Sequence, residues 1–208
     1  MKKTLIKDHQ AFFSIFLASL LWFLIFRYKV VNFWFSLSMA ATLLGLLAIF
    51  WGGLPFTKKD FNFRSMLRGA GSAVILYGIF WLGKILAQIM FDFALPQIAS
   101  IYAQGSQGKA LAVFLVLFFI TSPCEEIFWR GFIGRWAIKK YGNLKGFLLG
   151  STIYTVVHIV SGNFMLIMAA LVAGLFWSYL YQQERNLVPL IISHALWTVA
   201  IFVLFPMI

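Results

Sequence analysis

The sequence predicts an all-α fold, a polytopic transmembrane helical bundle of about seven spans, and two observations carry that prediction. The chain is 62% hydrophobic and only 11% charged, with a mean hydropathy of +0.90. Long apolar runs also recur along the whole of its 208 residues, and such runs are long enough to cross a hydrocarbon core of roughly 30 Å. Composition this apolar excludes an ordinary soluble domain. No Pro/Gly/Ser-rich linker and no internal repeat divides the chain, so 1–208 reads as a single integral membrane domain.

Seven apolar segments stand out, over about 10–27, 30–51, 69–91, 110–136, 145–161, 163–183 and 187–206. The first follows Met1-Lys2-Lys3 but shows no small-residue cleavage site before Arg27, so it reads as a retained span rather than a signal peptide. Trp22, Trp51, Trp81, Trp136 and Trp177 lie toward span ends, where indole rings anchor at the interface. An eighth, re-entrant or interfacial element fits around 53–68 or 92–108; the first stretch is basic and carries Phe56, Phe61 and Phe63, as an amphipathic surface segment would. Gly142, Gly146 and Gly150 recur every four residues, a spacing that lets another helix approach closely.

The net charge of +11 would suggest nucleic acid in a soluble protein. Here the charges alternate by loop, which makes topology the better reading and excludes a nucleic-acid partner. One set of loops holds Lys2, Lys3, Lys7, Lys58, Lys59, Arg64, Arg68, Arg135, Lys139, Lys140, Lys145 and Arg185; the other holds Arg27, Lys29 and Lys109. Basic loops stay cytoplasmic, so the expected location is the cell membrane, with the N-terminus cytoplasmic and the C-terminus outside.

Against this background the six acidic residues stand out, because Glu125 and Glu126 sit side by side within an apolar span. A charged side chain at the bilayer centre costs at least about 2.5 kcal/mol and marks a functional site by default. Glu126 and Arg130 are four apart and share a helix face, so they can pair as a scaffold. Glu125 points about 100° away and lacks that partner, which suits it to be the reactive carboxylate. His158 and His194 lie in later apolar spans, each four residues from a hydroxyl, Tyr154 and Thr198. At about 1.5 Å rise per residue, Glu125 and His158 lie roughly 17 and 20 Å from their cytoplasmic span ends, whereas His194 lies only about 10 Å from its own. Carboxylates with two imidazoles in a membrane interior point to hydrolysis. Cys124 is the single cysteine, which excludes an internal disulfide and a thiolate metal cluster, and reads as a small apolar filler. His9 reads as an exposed residue before the first span, and Lys84 as a snorkelling side chain.

Glu125-Glu126-x-x-x-Arg130, then Tyr154-x-x-x-His158, then His194-x-x-x-Thr198, in that order, resemble the CPBP family. These are the CAAX proteases and bacteriocin-processing enzymes, also called Abi proteins, which include type II CAAX prenyl endopeptidases. The resemblance covers about 110–206, a family-like catalytic core. Two positions depart from the family pattern: Tyr154 stands where phenylalanine is usual, and Thr198 where asparagine or aspartate is usual. The resemblance implies an intramembrane endopeptidase in which Glu125 activates a water, His158 assists or binds that water, His194 polarises the scissile carbonyl and Thr198 helps stabilise the oxyanion. Glu125, His158 and His194 are the residues that would hold zinc if a metal is used; the His-Glu-x-x-His spacing of zincins is absent, and the expectation is a metal-independent or weakly metal-dependent glutamate-activated water. Gly-x-Ser-x-Gly and Gly-x-Gly-Asp, the marks of rhomboid and aspartyl intramembrane proteases, are absent too. The partners implied are membrane lipids and a membrane-anchored peptide or protein substrate, with the site open to the inner leaflet or cytoplasm. The alternative is a non-catalytic membrane scaffold serving bacteriocin self-immunity or envelope maintenance, since the family includes members thought to act without proteolysis.

Overall fold

In the computed structural model, which describes residues 5–28 and 32–207, eight helices follow one another. They are α1 (Asp8–Tyr28), α2 (Phe33–Gly52), α3 (Phe63–Met90), α4 (Ala94–Gly105), α5 (Ala110–Tyr141), α6 (Asn143–Ser161), α7 (Phe164–Glu184) and α8 (Val188–Leu204). Six are long and apolar enough to cross a membrane, and α8 is a shorter apolar helix. This is the expected polytopic bundle, and the protein is a multi-pass membrane protein. Lys2, Lys3 and Lys29, which entered the charge pattern above, lie outside the described residues.

Local chemistry sets the helix ends. Asn32, Asn62 and Asn163 open α2, α3 and α7, each side chain accepting from the backbone N–H three residues on, the geometry that satisfies an orphan donor of the first turn. Gly142, at φ 82°, turns the chain between α5 and α6, a conformation that favours glycine. A Cβ at Gly146 would collide with the backbone of Ile138, so this glycine lets α6 lie directly against α5. At Gly150 the nearest neighbour is Gly134 Cα at 3.5 Å. The extra element is α4, within the 92–108 stretch. The 53–68 stretch forms no amphipathic surface helix: a single 3-10 turn at Lys58–Asp60 precedes α3, which already begins at Phe63.

The outer faces are apolar. Phe50 is 81% exposed, Val74 73% and Ile89 77%, far beyond what a soluble monomer presents as a continuous surface. Their solvent is lipid. The interior is a single large cluster including Trp22, Leu44, Leu76, Phe128, Phe132, Trp177 and Leu190, with a small second cluster of Trp34, Val113, Leu117 and Val199. The interface-anchor reading therefore fails for Trp22, Trp136 and Trp177, all of which are buried. Their N–H groups reach partners within the bundle, and a tryptophan so satisfied can leave the interface. Trp81 stays exposed and Trp51 half-buried. His9 is exposed, and Cys124 packs half-buried against Gly45.

At the end of the bundle that holds the basic loops, polar contacts stitch neighbouring helices together. Asp8 accepts from Trp136 Nε1 at 2.9 Å and from Lys140 Nζ at 2.6 Å. Arg68 pairs with Glu184, and Asn186 donates to Ser65 Oγ at 3.0 Å. The opposite end is held by Asn163, which donates to Gln97 O at 2.9 Å and Ser100 Oγ at 3.0 Å and so ties α4 to α7.

Candidate active site

The chain bearing the paired glutamates is not a uniform α-helix. Within α5, wide π turns at Leu117–Thr121 and Trp129–Gly134 bracket the α-helical segment Ser122–Phe128 that carries Glu125 and Glu126. Pro123 has no N–H to donate and its ring crowds the preceding turn; the π turn just before it absorbs that mismatch. Such π-bulges occur often at functional sites.

Glu126 is fully buried, and its Oε1 accepts from Arg130 Nη1 at 2.9 Å and from His194 Nδ1 at 2.8 Å. Arg130, 2% exposed, also donates through Nη2 to Gly174 O at 3.3 Å. Its guanidinium lies 4.7 Å from the Tyr154 ring centroid and 5.4 Å from that of Trp177, a favourable placement for a cation over aromatic faces. Gly174 admits this approach, because a Cβ there would meet Tyr154 at 3.0 Å. The expected Glu126–Arg130 pair is thus present, and it holds a histidine as well.

His194 stacks on Trp177 with centroids 3.9 Å apart. The depth mismatch expected from span counting disappears for a simple reason: α8 starts inside the bundle. Leu187, Val188 and Leu190 at its start are buried, so His194 reaches the level of the glutamates. With Nδ1–H donated to Glu126, the Nε2 edge of the ring remains, and His194 lines the central cavity.

His158 has both ring nitrogens occupied. Trp22 Nε1 donates to His158 Nε2 at 3.0 Å, and His158 Nδ1 meets Tyr154 O at 2.7 Å. An indole N–H only donates, so Nε2 is the acceptor and Nδ1 carries the proton. The orienting group supplied by Tyr154 is its backbone carbonyl rather than its hydroxyl. Thr198 Oγ1 donates to His194 O at 2.8 Å, and Ser122 Oγ lies 3.0 Å away. The threonine hydroxyl thus serves its own helix and a neighbouring serine.

Glu125 differs from the rest. It is buried at 7% exposure, yet among the described residues no hydrogen bond to its carboxylate is formed, and it lines the cavity beside Tyr154, His158, His194 and Thr198. Lys84 is the single lysine or arginine among the described lining residues. The cavity, of about 770 Å³, is otherwise walled by apolar and aromatic side chains including Trp22, Phe80, Tyr102, Met165 and Phe202, a size and lining typical of a small-molecule or peptide subsite.

Among the described residues no group of three His, Cys, Asp or Glu side chains is placed to hold a metal ion. The conditional metal set of Glu125, His158 and His194 is not assembled, because Trp22 takes the His158 Nε2 lone pair that a zinc ion would need. Sequence reasoning named Glu125, Glu126, Arg130, His158, His194 and Thr198, and the structure draws all six to one place. It missed Trp22, Trp177, Ser122 and Gly174. Their only sequence signal is an aromatic, hydroxyl or glycine within an apolar run.

The cavity also opens in an unexpected direction. Its walls come from the halves of α1, α2, α3, α5 and α7 remote from the basic loops, together with α4. The opening lies at the end of the bundle away from the basic loops.

Residues 107–200 match the family described as type II CAAX prenyl endopeptidase, Rce1-like. No curated protein and no solved structure matches the chain.

Proposed function

Since the chain belongs to the type II CAAX prenyl endopeptidase Rce1-like family, we propose that it is an intramembrane endopeptidase that cleaves a membrane-associated peptide or protein with a glutamate-activated water. The observation that carries this reading is the contrast between two adjacent carboxylates. Glu126 Oε1 is held by both Arg130 and His194, while Glu125 faces the cavity and, among the described residues, forms no hydrogen bond.

In this mechanism Glu125 takes a proton from water as the water oxygen attacks the scissile carbonyl carbon. When the C–N bond breaks, Glu125 returns that proton to the leaving amine. His194, held in place by Glu126 and Trp177, presents Nε2 to the reacting groups and, when protonated there, donates to the developing oxyanion. Thr198 stands beside it, its one hydroxyl proton donated to His194 O. His158, capped by Trp22, shapes the wall and holds neither the water nor a metal while that cap is in place. The proposed location is the plasma membrane with the basic loops cytoplasmic. Mass spectrometry of peptide precursors in cells expressing wild type or Glu125→Gln tests the reading. Products should form with wild type alone; identical products from two folded proteins would overturn it.

The scaffold reading has its own support in the internal pairing of Thr198 and His158, which leaves fewer groups free for chemistry. It expects an immunity or envelope phenotype that Glu125→Gln leaves intact.

A further inference from the structure

We propose that the site is loaded from the membrane half opposite the basic loops, so that the substrate is an apolar peptide segment presented at the non-cytoplasmic side. The proposal rests on the peptidase reading and on the basic loops being cytoplasmic.

Three independent observations lead there. Arg135, Lys139, Lys140 and Lys145 at the α5–α6 turn, Lys58 and Lys59 before α3, and Arg185 after α7 share one end of the bundle, which the preference of basic loops for the cytoplasm assigns to that side. The cavity that exposes Glu125 draws its walls from the other end, down to Met207 and to Ile98, Ile101, Tyr102 and Gln104 of α4. Between Glu125 and the basic end the bundle is shut. Phe128 and Phe132 on α5, Trp177 on α7 and Leu187 and Leu190 at α8 are essentially fully buried, and none of them lines the cavity. Protein interiors are packed at crystal density, so a peptide coming from the cytoplasmic side would have to part this plug and the Glu126–Arg130–His194 clasp behind it.

The occupant follows from the lining. The walls are apolar and aromatic, with reactive groups gathered at the deep end. An extended chain advances about 3.3 Å per residue, so a few residues with apolar side chains fill the cavity and bring a peptide bond to Glu125. A peptide lying in the outer half of the bilayer, or the outer part of a membrane-spanning segment, has that character.

The test uses the full-length protein with Cys124→Ala, which removes the sole cysteine, and single replacements Lys59→Cys, Gln104→Cys and Ala87→Cys. Gln104 and Ala87 line the cavity, and Lys59 lies in the basic loop. A charged, membrane-impermeant maleimide is applied to intact cells and to inside-out vesicles. The Gln104→Cys and Ala87→Cys proteins should label in intact cells, and the Lys59→Cys protein only in inside-out vesicles. Labelling of Lys59→Cys in intact cells would show an inverted chain and overturn the proposal. Labelling of Ala87→Cys from inside-out vesicles alone would overturn it as well, by showing access from the basic side. The labelling pattern does not depend on cleavage, so failure of the peptidase reading shows separately, as processing that Glu125→Gln leaves unchanged.

Discussion

Trp22 Nε1 donates to His158 Nε2 across 3.0 Å, and this single bond brings the first helix, far outside the family-matched segment 107–200, into the candidate active site. Trp22 is 1% exposed, and its ring meets His158 edge-on at 5.8 Å. The bond selects one tautomer of the imidazole and occupies the ring's lone pair, with both residues lining the cavity.

Trp22→Phe should keep the fold while releasing Nε2. The substitution leaves the buried His158 Nε2 without its partner, at roughly 1–3 kcal/mol, so thermal stability in detergent should fall measurably. Nitrogen-15 NMR of labelled histidine should show one of the three histidines changing its Nε2 signal. An unchanged spectrum would mean that Trp22 does not hold His158.

The two adjacent glutamates should behave oppositely. Removing one partner of a buried ion pair costs roughly 3–5 kcal/mol, so Glu126→Ala and Arg130→Ala should unfold readily in detergent. Glu125→Gln should retain the wild-type melting temperature and lose cleavage. Equal stability losses at both positions, read by melting curves, would contradict the division between clasp and reactive carboxylate.

Thr198→Val separates the threonine from a true oxyanion donor. Loss of such a donor typically lowers kcat by about 10² to 10³. Because the hydroxyl already donates to His194 O and neighbours Ser122, the expected fall is less than about tenfold, well short of the range for a dedicated donor. Stability should drop by roughly 1–3 kcal/mol, since Ser122 loses a buried partner.

Gly146→Ala should be among the costliest small substitutions in the chain. The new methyl would press on the backbone of Ile138 and Ala137, and backbone cannot step aside as a side-chain tip can. Gly78→Ala, where nothing lies within 4 Å, is the matched control. It should be neutral or slightly stabilising, alanine being favoured over glycine in a helix by about 1 kcal/mol. Melting curves of the pair give the comparison directly.

The limits of reading spans by length show at α8. Counting from its start put His194 too shallow, because a sequence window cannot tell that Leu187, Val188 and Leu190 begin the helix inside the bundle. The tryptophans show a similar limit. A Trp near a span end has the same sequence signature whether it anchors in lipid headgroups or, like Trp22 and Trp177, finds a partner inside.

What the sequence by itself determined was the membrane bundle, the pairing of Glu126 with Arg130, and the identity of six candidate site residues, whose convergence only the packing of the helices supplied. Each follows from a local rule: hydropathy over a span, helical spacing of four, and the cost of charge in lipid. Tertiary structure alone decided that His194 binds Glu126 rather than Glu125, that Trp22 caps His158, and which end of the bundle the cavity opens on. Those relations join helices distant in the chain. They depend on helix depth, rotation and close packing, which no periodicity along a single helix encodes.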